Sequence, residues 1–451
     1  MAAKNSASSI FRLSFFGAAE EVGRSSILLE FNGTAVLLDA GIKVGREKNE
    51  FPEIPLELPA KLFAIVLSHA HLDHIGFVPA LIKHGFKGKI YCTKPTRDLM
   101  HVLLADAFAI SKERGQELYS AKDIEKTMRL VEVVPFEKSV KISRNFSFKL
   151  FSSGHIIGSA MILMNCAGKH LLYTGDFNTR ESNLLEGCKI PKEKVDFLIM
   201  EATYGSKKDM LPSLKSVSKE FADAVNGTFL LGGKVLVPVF AVGRGQELMF
   251  VLENYIRSGY LPCDTVVFVD GMINSVNKIC RHNVVFLRPE IPARILNSDD
   301  DPFKSPFFKI PESKSKSEVY AAENAVILAT SGMLTGGPSV SYFKRLARNE
   351  RNLIALVGFQ GKDSLGRELL NGAKEVKIKE SRVPVKAMVR KFGFSGHADF
   401  LGLFEFVRKI APSKIFIVHG EHSKQLEFVA VVKNKLKKEA IVPKALEVFD
   451  L

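Results

Sequence analysis

The order of apolar and polar positions divides the chain into three stretches. FRLSFF, SSILLEF and TAVLLDAG, beginning at residue 11, are separated by turn signals at Gly17, Gly23 and Asn32-Gly33, and they predict a hairpin-rich β start over residues 11–39. From there to about residue 205, the runs FAIVLS, KIYC, FSFKLF, HLLYTGD and FLIMEATYG alternate with helical segments such as 96–118, which predicts layered α/β structure. From about 206 the pattern changes. A helix-like segment through Phe221, then VLVPVF, a helix beginning near Arg244, VVFVDG, and AVILATSG followed by Gly336-Gly337-Pro338 predict a second α/β domain of parallel strands with Gly-rich loops. Asp299 to Ser317 is rich in Pro, Ser and Lys and predicts a long irregular excursion. β-like runs return from about 386 in VKAMVRKFGF and KIFIVHG, and the chain is expected to end on a helix and a short strand.

A length of 451 residues fits two or three domains, and 46% hydrophobic with 25% charged residues is ordinary for a folded chain. No run approaches the roughly 18 apolar residues of a membrane helix. IFRLSFFGAA is broken by Arg12 and lacks a basic flank, so neither a membrane span nor a secretory signal is expected. Five cysteines without CxxC spacing argue against a disulfide framework and fit a reducing compartment. The formal charge of +14 favours a polyanion, nucleic acid ahead of a membrane, although a spread surface excess that only keeps the chain in solution accounts for it equally well.

The sharpest chemical signal is SHAHLDHIG, where the run FAIVL ends at Ser68 and His69, His71, Asp73 and His74 follow. Imidazole and carboxylate suit a borderline divalent metal such as zinc, and a strand end lets a rigid sheet aim them. His155 in FSSGHIIGS, Asp176 in LLYTGDF and His419 in IFIVHGE repeat one format, a β-like run followed by a ligand-type residue beside glycine. Seven such residues suit two metals with a shared carboxylate better than one tetrahedral site.

HAHLDH, with Asp39 upstream in LLDAG and His155 and Asp176 downstream, resembles the metal motifs of the metallo-β-lactamase fold. The resemblance implies that His69, His71 and His155 hold one Zn2+, that Asp73, His74 and His419 hold the other, and that Asp176 bridges. Asp39 would support the metal shell, and Asp39 and Asp73 are counted with the catalytic set. Glu201 in MEATYG, His397 in GFSGHAD and His419 in HGE match the β-CASP branch, whose members cleave nucleic acids. The implied architecture is an αββα sandwich, residues 1–205 and 386–451, interrupted by an inserted α/β domain at 206–385. In it His397 would serve as general acid and Glu201 would orient its ring. VPVFAVGRGQEL, ILATSGMLTGGPS and VGFQGKDSLGREL each run from a β-like stretch through glycine to a helix start. Arg244, Ser331, Gly332, Gly361, Lys362 and Arg367 are the candidate phosphate contacts.

His419 with Gly420-Glu421 resembles the RNA enzymes of the branch, in particular the archaeal and bacterial relatives of the cleavage and polyadenylation specificity factor nuclease subunit, in a form without N-terminal KH domains. That implies a cytoplasmic zinc ribonuclease acting on single-stranded RNA and leaving 5′-phosphate and 3′-OH ends, with homodimerisation through the C-terminal segment. A DNA nuclease of the same family and a catalytically silent RNA-binding scaffold stay open as alternatives, as does the choice between endonuclease and 5′→3′ exonuclease. A glyoxalase-like thioesterase would need neither the insertion nor SGHAD.

Overall fold

The computed structural model describes residues 11–451 apart from Glu47, Asn145, Asp299 and residues 313–315, so parts of the expected 299–317 excursion lie outside the described residues. Two seven-stranded sheets face one another. The first runs, in spatial order, Val448–Asp450, Phe11–Gly17, Ser26–Phe31, Thr34–Leu38, Ala64–Val66, Lys89–Cys92, Val131–Val133. The second runs Glu439–Ile441, Lys414–Val418, Phe197–Glu201, Lys169–Tyr173, Ala160–Cys166, Phe146–Ser152, Val140–Ser143. Period-two alternation sends Leu13, Phe15, Leu29, Val36, Phe148, Ile162 and Phe416 into one core between the sheets. The opposite faces are covered by helices. Lys94–Glu113 and Ala121–Leu130 close over Ile65 and Leu67 of the first sheet, and Phe400–Ile410 and His422–Leu436 close over Leu198 and Ile417 of the second. This is the expected αββα sandwich.

Between Glu201 and the helix Phe400–Ile410 the chain builds a third sheet of six strands in the order Phe308–Lys309, Val266–Asp270, Ala325–Ala329, Val235–Pro238, Leu353–Leu356, Met388–Lys391. Every paired neighbour is parallel. A parallel sheet is covered on both faces, which is why VLVP and AVILA are buried at every position. Helices Leu214–Leu230 and Arg244–Arg257 pack on one face, and Gly337–Leu346 and Leu365–Leu370 on the other.

One expectation is overturned. VKAMVRKFGF predicts the return of the sandwich at 386, yet its strand, Met388–Lys391, pairs in parallel with Leu353–Leu356 as the edge of the inserted sheet. An apolar run does not say which of two sheets it joins, and the crossover that decides lies in the residues before it. The chain therefore re-enters the sandwich after Lys391.

An apolar interface fixes the insertion to the sandwich. Ile156, Ile157, Leu184 and Leu185 pack with Val242, Phe250, Val276 and Cys280. Three adjacent parallel strands of the second sheet, Lys169–Tyr173, Phe197–Glu201 and Lys414–Val418, end on one edge. Two adjacent parallel strands of the first sheet, Thr34–Leu38 and Ala64–Val66, do the same. His69, His71, Asp73 and His74 follow Ala64–Val66, Asp176 follows Lys169–Tyr173 and His419 follows Lys414–Val418, while His155 follows Phe146–Ser152 of the second sheet. Among the described residues no helix is long and apolar enough to cross a membrane.

Candidate metal centre and substrate groove

All seven predicted ligands converge. His69, His71, His155 and Asp176 form one cluster and Asp73, His74, Asp176 and His419 a second, the ligand atoms in each lying within 4.8 Å of one another. Asp176 belongs to both. In the first cluster His69 Nε2 and His155 Nε2 each stand 3.1 Å from His71 Nδ1. A single imidazole nitrogen carries at most one proton, so it cannot satisfy both contacts by hydrogen bonding. Three nitrogens held about 2.0–2.1 Å from one tetrahedral ion would lie about 3.3 Å apart, close to the observed spacing. In the second cluster His74 Nε2 and Asp176 Oδ1 are 3.3 Å apart, buried, and without a hydrogen-bond partner among the described residues. Buried polar atoms are ordinarily paired, so two orphans aimed at one point fit an absent cation. The donor set fits a pair of divalent ions.

Outer hydrogen bonds decide which nitrogen each ring presents. His155 Nδ1 donates to the Gly396 carbonyl at 2.8 Å, and His74 Nδ1 donates to Asp39 Oδ2 at 2.7 Å. This leaves both Nε2 atoms facing the centre. Asp39 and His419 adopt left-handed backbone, with φ of +58° and +46°. Such conformations in non-glycine residues are uncommon and collect at functional sites.

Electrostatics divides the centre. Burial, with the neighbouring His74, holds His69 well below the usual histidine range, burial with His397 does the same to His155, and burial lowers His71. These rings are neutral at pH 7 and keep a lone pair for a metal. His74 behaves oppositely: burial pushes it down, but Asp176 and Asp39 together lift it well above that range. Burial would raise Asp176, yet His419 and His74 hold it well below the carboxylate range. The bridging position is thus a fixed negative charge that attracts positive charge.

Beside the clusters, His397 Nδ1 lies 2.8 and 3.0 Å from the two oxygens of Glu201, whose Oε1 also accepts the Phe177 amide at 2.9 Å. Burial lowers the His397 pKa, but the charge and hydrogen bond of Glu201 outweigh it and raise the value to about 9. The ring is protonated at neutral pH, with Nε2–H free of Glu201. Glycine is needed just before it, because a Cβ on Gly396 would meet an Arg244 guanidinium nitrogen at 2.7 Å and His155 Nδ1 at 3.1 Å.

The centre lies in a groove of about 1400 Å³ between sandwich and insertion, lined by the carboxyl ends of the inserted strands. Of the predicted phosphate contacts, Arg244, Ser331, Gly332, Gly361 and Lys362 line it. Arg244 and Lys362 have no ion pair or side-chain hydrogen bond among the described residues, whereas the Ser331 hydroxyl is occupied by Thr335 and Gly336 of its own loop. Arg367 is a correction. It does not line the groove, and its guanidinium donates to the Gln360 carbonyl at 3.1 and 2.7 Å with Glu421 at 3.6 Å. A strand–glycine–helix pattern locates the loop but not the direction of a long side chain one turn into the helix.

Other groove residues carried no sequence signal. Phe240 lies in the wall with its ring centroid 6.4 Å from that of His71. Gly332 and Gly358 make room for it, since a Cβ on them would come within 2.9 and 3.2 Å of the ring. Inside VPVFAVG it reads as one more strand residue. Ser25 and Tyr173, which touch the outer atoms of the centre, likewise read as strand residues.

Comparison with known proteins follows the same division of the chain. Residues 28–202 match the Metallo-beta-lactamase superfamily domain, 245–369 the Beta-Casp domain, and 382–443 the Zn-dependent metallo-hydrolase RNA specificity domain. Transcription termination factor FttA of Methanocaldococcus jannaschii is 40% identical over 97% of this chain and 71% of that protein. FttA of Lokiarchaeum sp. is 39% identical over 97% and 71%. An RNase J-like protein of M. jannaschii is 35% identical over 96% of this chain and 97% of that protein. A crystal structure of a protein of unknown function from Enterococcus faecalis V583 superposes with a TM-score of 0.58 at 14% identity, covering 98% of this chain and all of that one, which speaks to the fold alone.

Proposed function

We propose that this chain, which belongs to the β-CASP branch of the metallo-β-lactamase superfamily of metal-dependent hydrolases, is a two-zinc ribonuclease that cleaves single-stranded RNA to 5′-phosphate and 3′-OH ends. The observation that carries this reading is the pair of ligand clusters sharing Asp176 with the protonated His397–Glu201 pair at their edge. His69, His71 and His155 would hold one ion and Asp73, His74 and His419 the other, with Asp176 between them. When bound, such ions supply Lewis-acid stabilisation of the phosphate and a water acidified for in-line attack.

The protein's own groups do the rest. Glu201 fixes the His397 ring through Nδ1 and keeps it protonated, so that Nε2–H can be given to the departing 3′ oxygen. Arg244, unpaired beside His397, and Lys362 on the same wall supply positive charge to the backbone phosphates, with Ser331, Gly332 and Gly361 between them. The names of the relatives, an RNase J-like protein and a transcription termination factor, support RNA over DNA and a place in RNA 3′-end processing or decay. Free cysteines throughout fit a cytoplasmic protein.

The test is digestion of RNA labelled at either end, circular RNA and matched DNA. RNA cleavage with ligatable 5′-phosphate and extendable 3′-OH ends is expected, and circular RNA separates endonuclease from 5′→3′ exonuclease. Cyclic phosphate ends would overturn the hydrolytic reading, and faster cleavage of DNA would overturn the substrate.

A further inference from the structure

The formal charge is not spread evenly along the chain. Residues 344–391 hold 13 Lys and Arg against 5 Asp and Glu, a surplus of 8 in a chain whose whole surplus is 14. Five of those 13 fall within residues 374–386, around one hairpin of the inserted domain. Its strands, Glu375–Ile378 and Ser381–Pro384, pair antiparallel as a two-stranded sheet of their own. Period-two alternation sorts the faces. Val376, Ile378 and Val383 are buried against the inserted domain, and Glu375, Lys377 and Arg382 are exposed on the other side.

The outward face is built against its own stability. Lys377 stands directly opposite Arg382 in the strand register, and like charges so placed oppose pairing. Arg382 finds one acid, Glu375 at 3.1 Å, in a contact open to solvent. Lys374, Lys377, Lys379 and Lys386 have no ion pair or side-chain hydrogen bond among the described residues. Lys379 holds the turn in left-handed backbone, φ +54°, a position that usually goes to Asn or Gly. The patch is also continuous with the groove. Lys379, like Lys362, lines it, whereas Lys377 and Lys374 lie outside it. They stand about 7 and about 17 Å back from Lys379 at about 3.4 Å per residue. Arg46 of the sandwich rim reaches the hairpin at this edge, donating to Glu368 at 2.6 Å and to the Lys377 carbonyl.

We infer that this hairpin is a second RNA-binding surface, which takes the single-stranded flank of the substrate where it leaves the groove and holds its phosphates on Lys379, Lys377, Arg382 and Lys374. The inference rests on the ribonuclease reading and adds a path for the RNA beyond the scissile bond. A phosphate lying across Lys377 and Arg382 relieves the repulsion that nothing within the protein relieves for Lys377. Lysine ammonium groups on flexible stems meet phosphates as point charges, so the surface holds any sequence alike. Continuity with the groove favours RNA over an acidic protein as the occupant.

Two variants test it in single-turnover cleavage of an RNA series lengthened from about 4 to about 16 nucleotides and beyond. With Lys374→Ala and Lys377→Ala combined, the half-saturating protein concentration should match wild type on the shortest RNAs that are cut. On the longest it should rise about tenfold, with the dependence of log affinity on log salt reduced by about 1.4, the share of two phosphates on a single strand. Lys377→Glu separates binding from folding. It places an opposite charge across from Arg382, so its thermal midpoint should stand at or above that of wild type while its affinity for long RNA falls. Equal losses on short and long RNA would overturn the track. Wild-type affinity for long RNA in both variants would overturn it too, and would leave the hairpin to an acidic protein. Wild-type protein that cuts no RNA of any length would overturn the ribonuclease reading and the track with it.

Discussion

The two walls of the groove are built by different rules. On the sandwich wall His69, His74, His155, His397 and His419 each have an outer ring nitrogen in contact with an acceptor, from Ser68, Asp39, Gly396, Glu201 and Ser25 respectively. On the inserted wall Arg244 and Lys362 project without a partner, and the basic Lys344 and Lys379 outnumber the acidic Asp363 around them. The sandwich rim carries both signs, with Glu20, Glu21, Glu50, Asp106, Glu113 and Glu421 outnumbering Lys43, Arg46 and Arg114, and Lys43 and Arg46 are ion-paired with Glu21 and Glu368 respectively. Reacting atoms must be placed to within a fraction of an ångström, so their holders are tethered twice. A phosphate grip needs charge that is free to exchange water for substrate, and tethering would spend that charge inside the protein. On the proposed function, a polyanion would follow the inserted wall.

The comparison breaks most visibly at Asp176, the one ligand common to both clusters. Asp176→Asn should lose zinc from both sites and lower turnover by about 10⁴-fold or more, because groups acting as one unit fail together. Elemental analysis beside single-turnover cleavage measures both. Retention of two zinc ions with near-normal turnover would mean that the two clusters do not share a bridge.

His397 tests whether tethering on the sandwich wall serves chemistry or only the metals. His397→Ala should lower turnover by roughly 10² to 10⁴ while zinc content and RNA affinity persist, since a general acid acts in the transition state. If metal content falls with it, the Asp176–Glu201–His397 cluster belongs to the ligand shell and the acid must be sought elsewhere.

A smaller effect is expected on the inserted wall. Arg244→Ala should weaken RNA binding about tenfold and reduce the dependence of log affinity on log salt by about one, the contribution of one phosphate contact. Filter binding across a salt series reads the slope, and a slope unchanged from wild type would move the RNA path off this wall.

The same contrast explains what could be read in advance. The candidate ligands were legible because most stand within a few residues of a strand end, with Asp73 and His74 in the short helix Leu72–Ile75 just beyond one, and because His and Asp in those places have few structural uses. SHAHLDHIG, Asp176 and His419 needed no tertiary knowledge beyond a sheet. Ser25, Tyr173 and Phe240 were not legible, because serine, tyrosine and phenylalanine inside β-like runs serve a core equally well, and only the closing of strand Lys169–Tyr173 near the Asp39 turn gives Tyr173 its partner. The sheet that Met388–Lys391 joins was not legible, because its pattern fits either sheet and parallel pairing is decided by residues remote in sequence. Arg367 failed for another reason: in a helix of six residues, Leu365–Leu370, its side chain reached back to the Gln360 carbonyl that its own loop had left open.

Arg367 supplies the smallest and sharpest test of the contrast, since it is a cation of the inserted domain built by the tethered rule. Its two hydrogen bonds hold Gln360, whose amide in turn donates to the Gly332 carbonyl at 3.0 Å, so it braces the loops that carry Gly332 and Lys362. The side chain is 36% exposed, which discounts the usual value of a charged hydrogen bond to about 1 kcal/mol. Arg367→Ala should therefore lower the thermal midpoint by about 2 °C and leave the salt slope of RNA binding at its wild-type value. Arg367→Lys should recover only part of the loss, because an ammonium cannot make the forked contact. A flattened slope equal to that of Arg244→Ala, with stability unchanged, would show that Arg367 leaves Gln360 to meet the RNA, and that the tethered and untethered cations of this wall are one class after all.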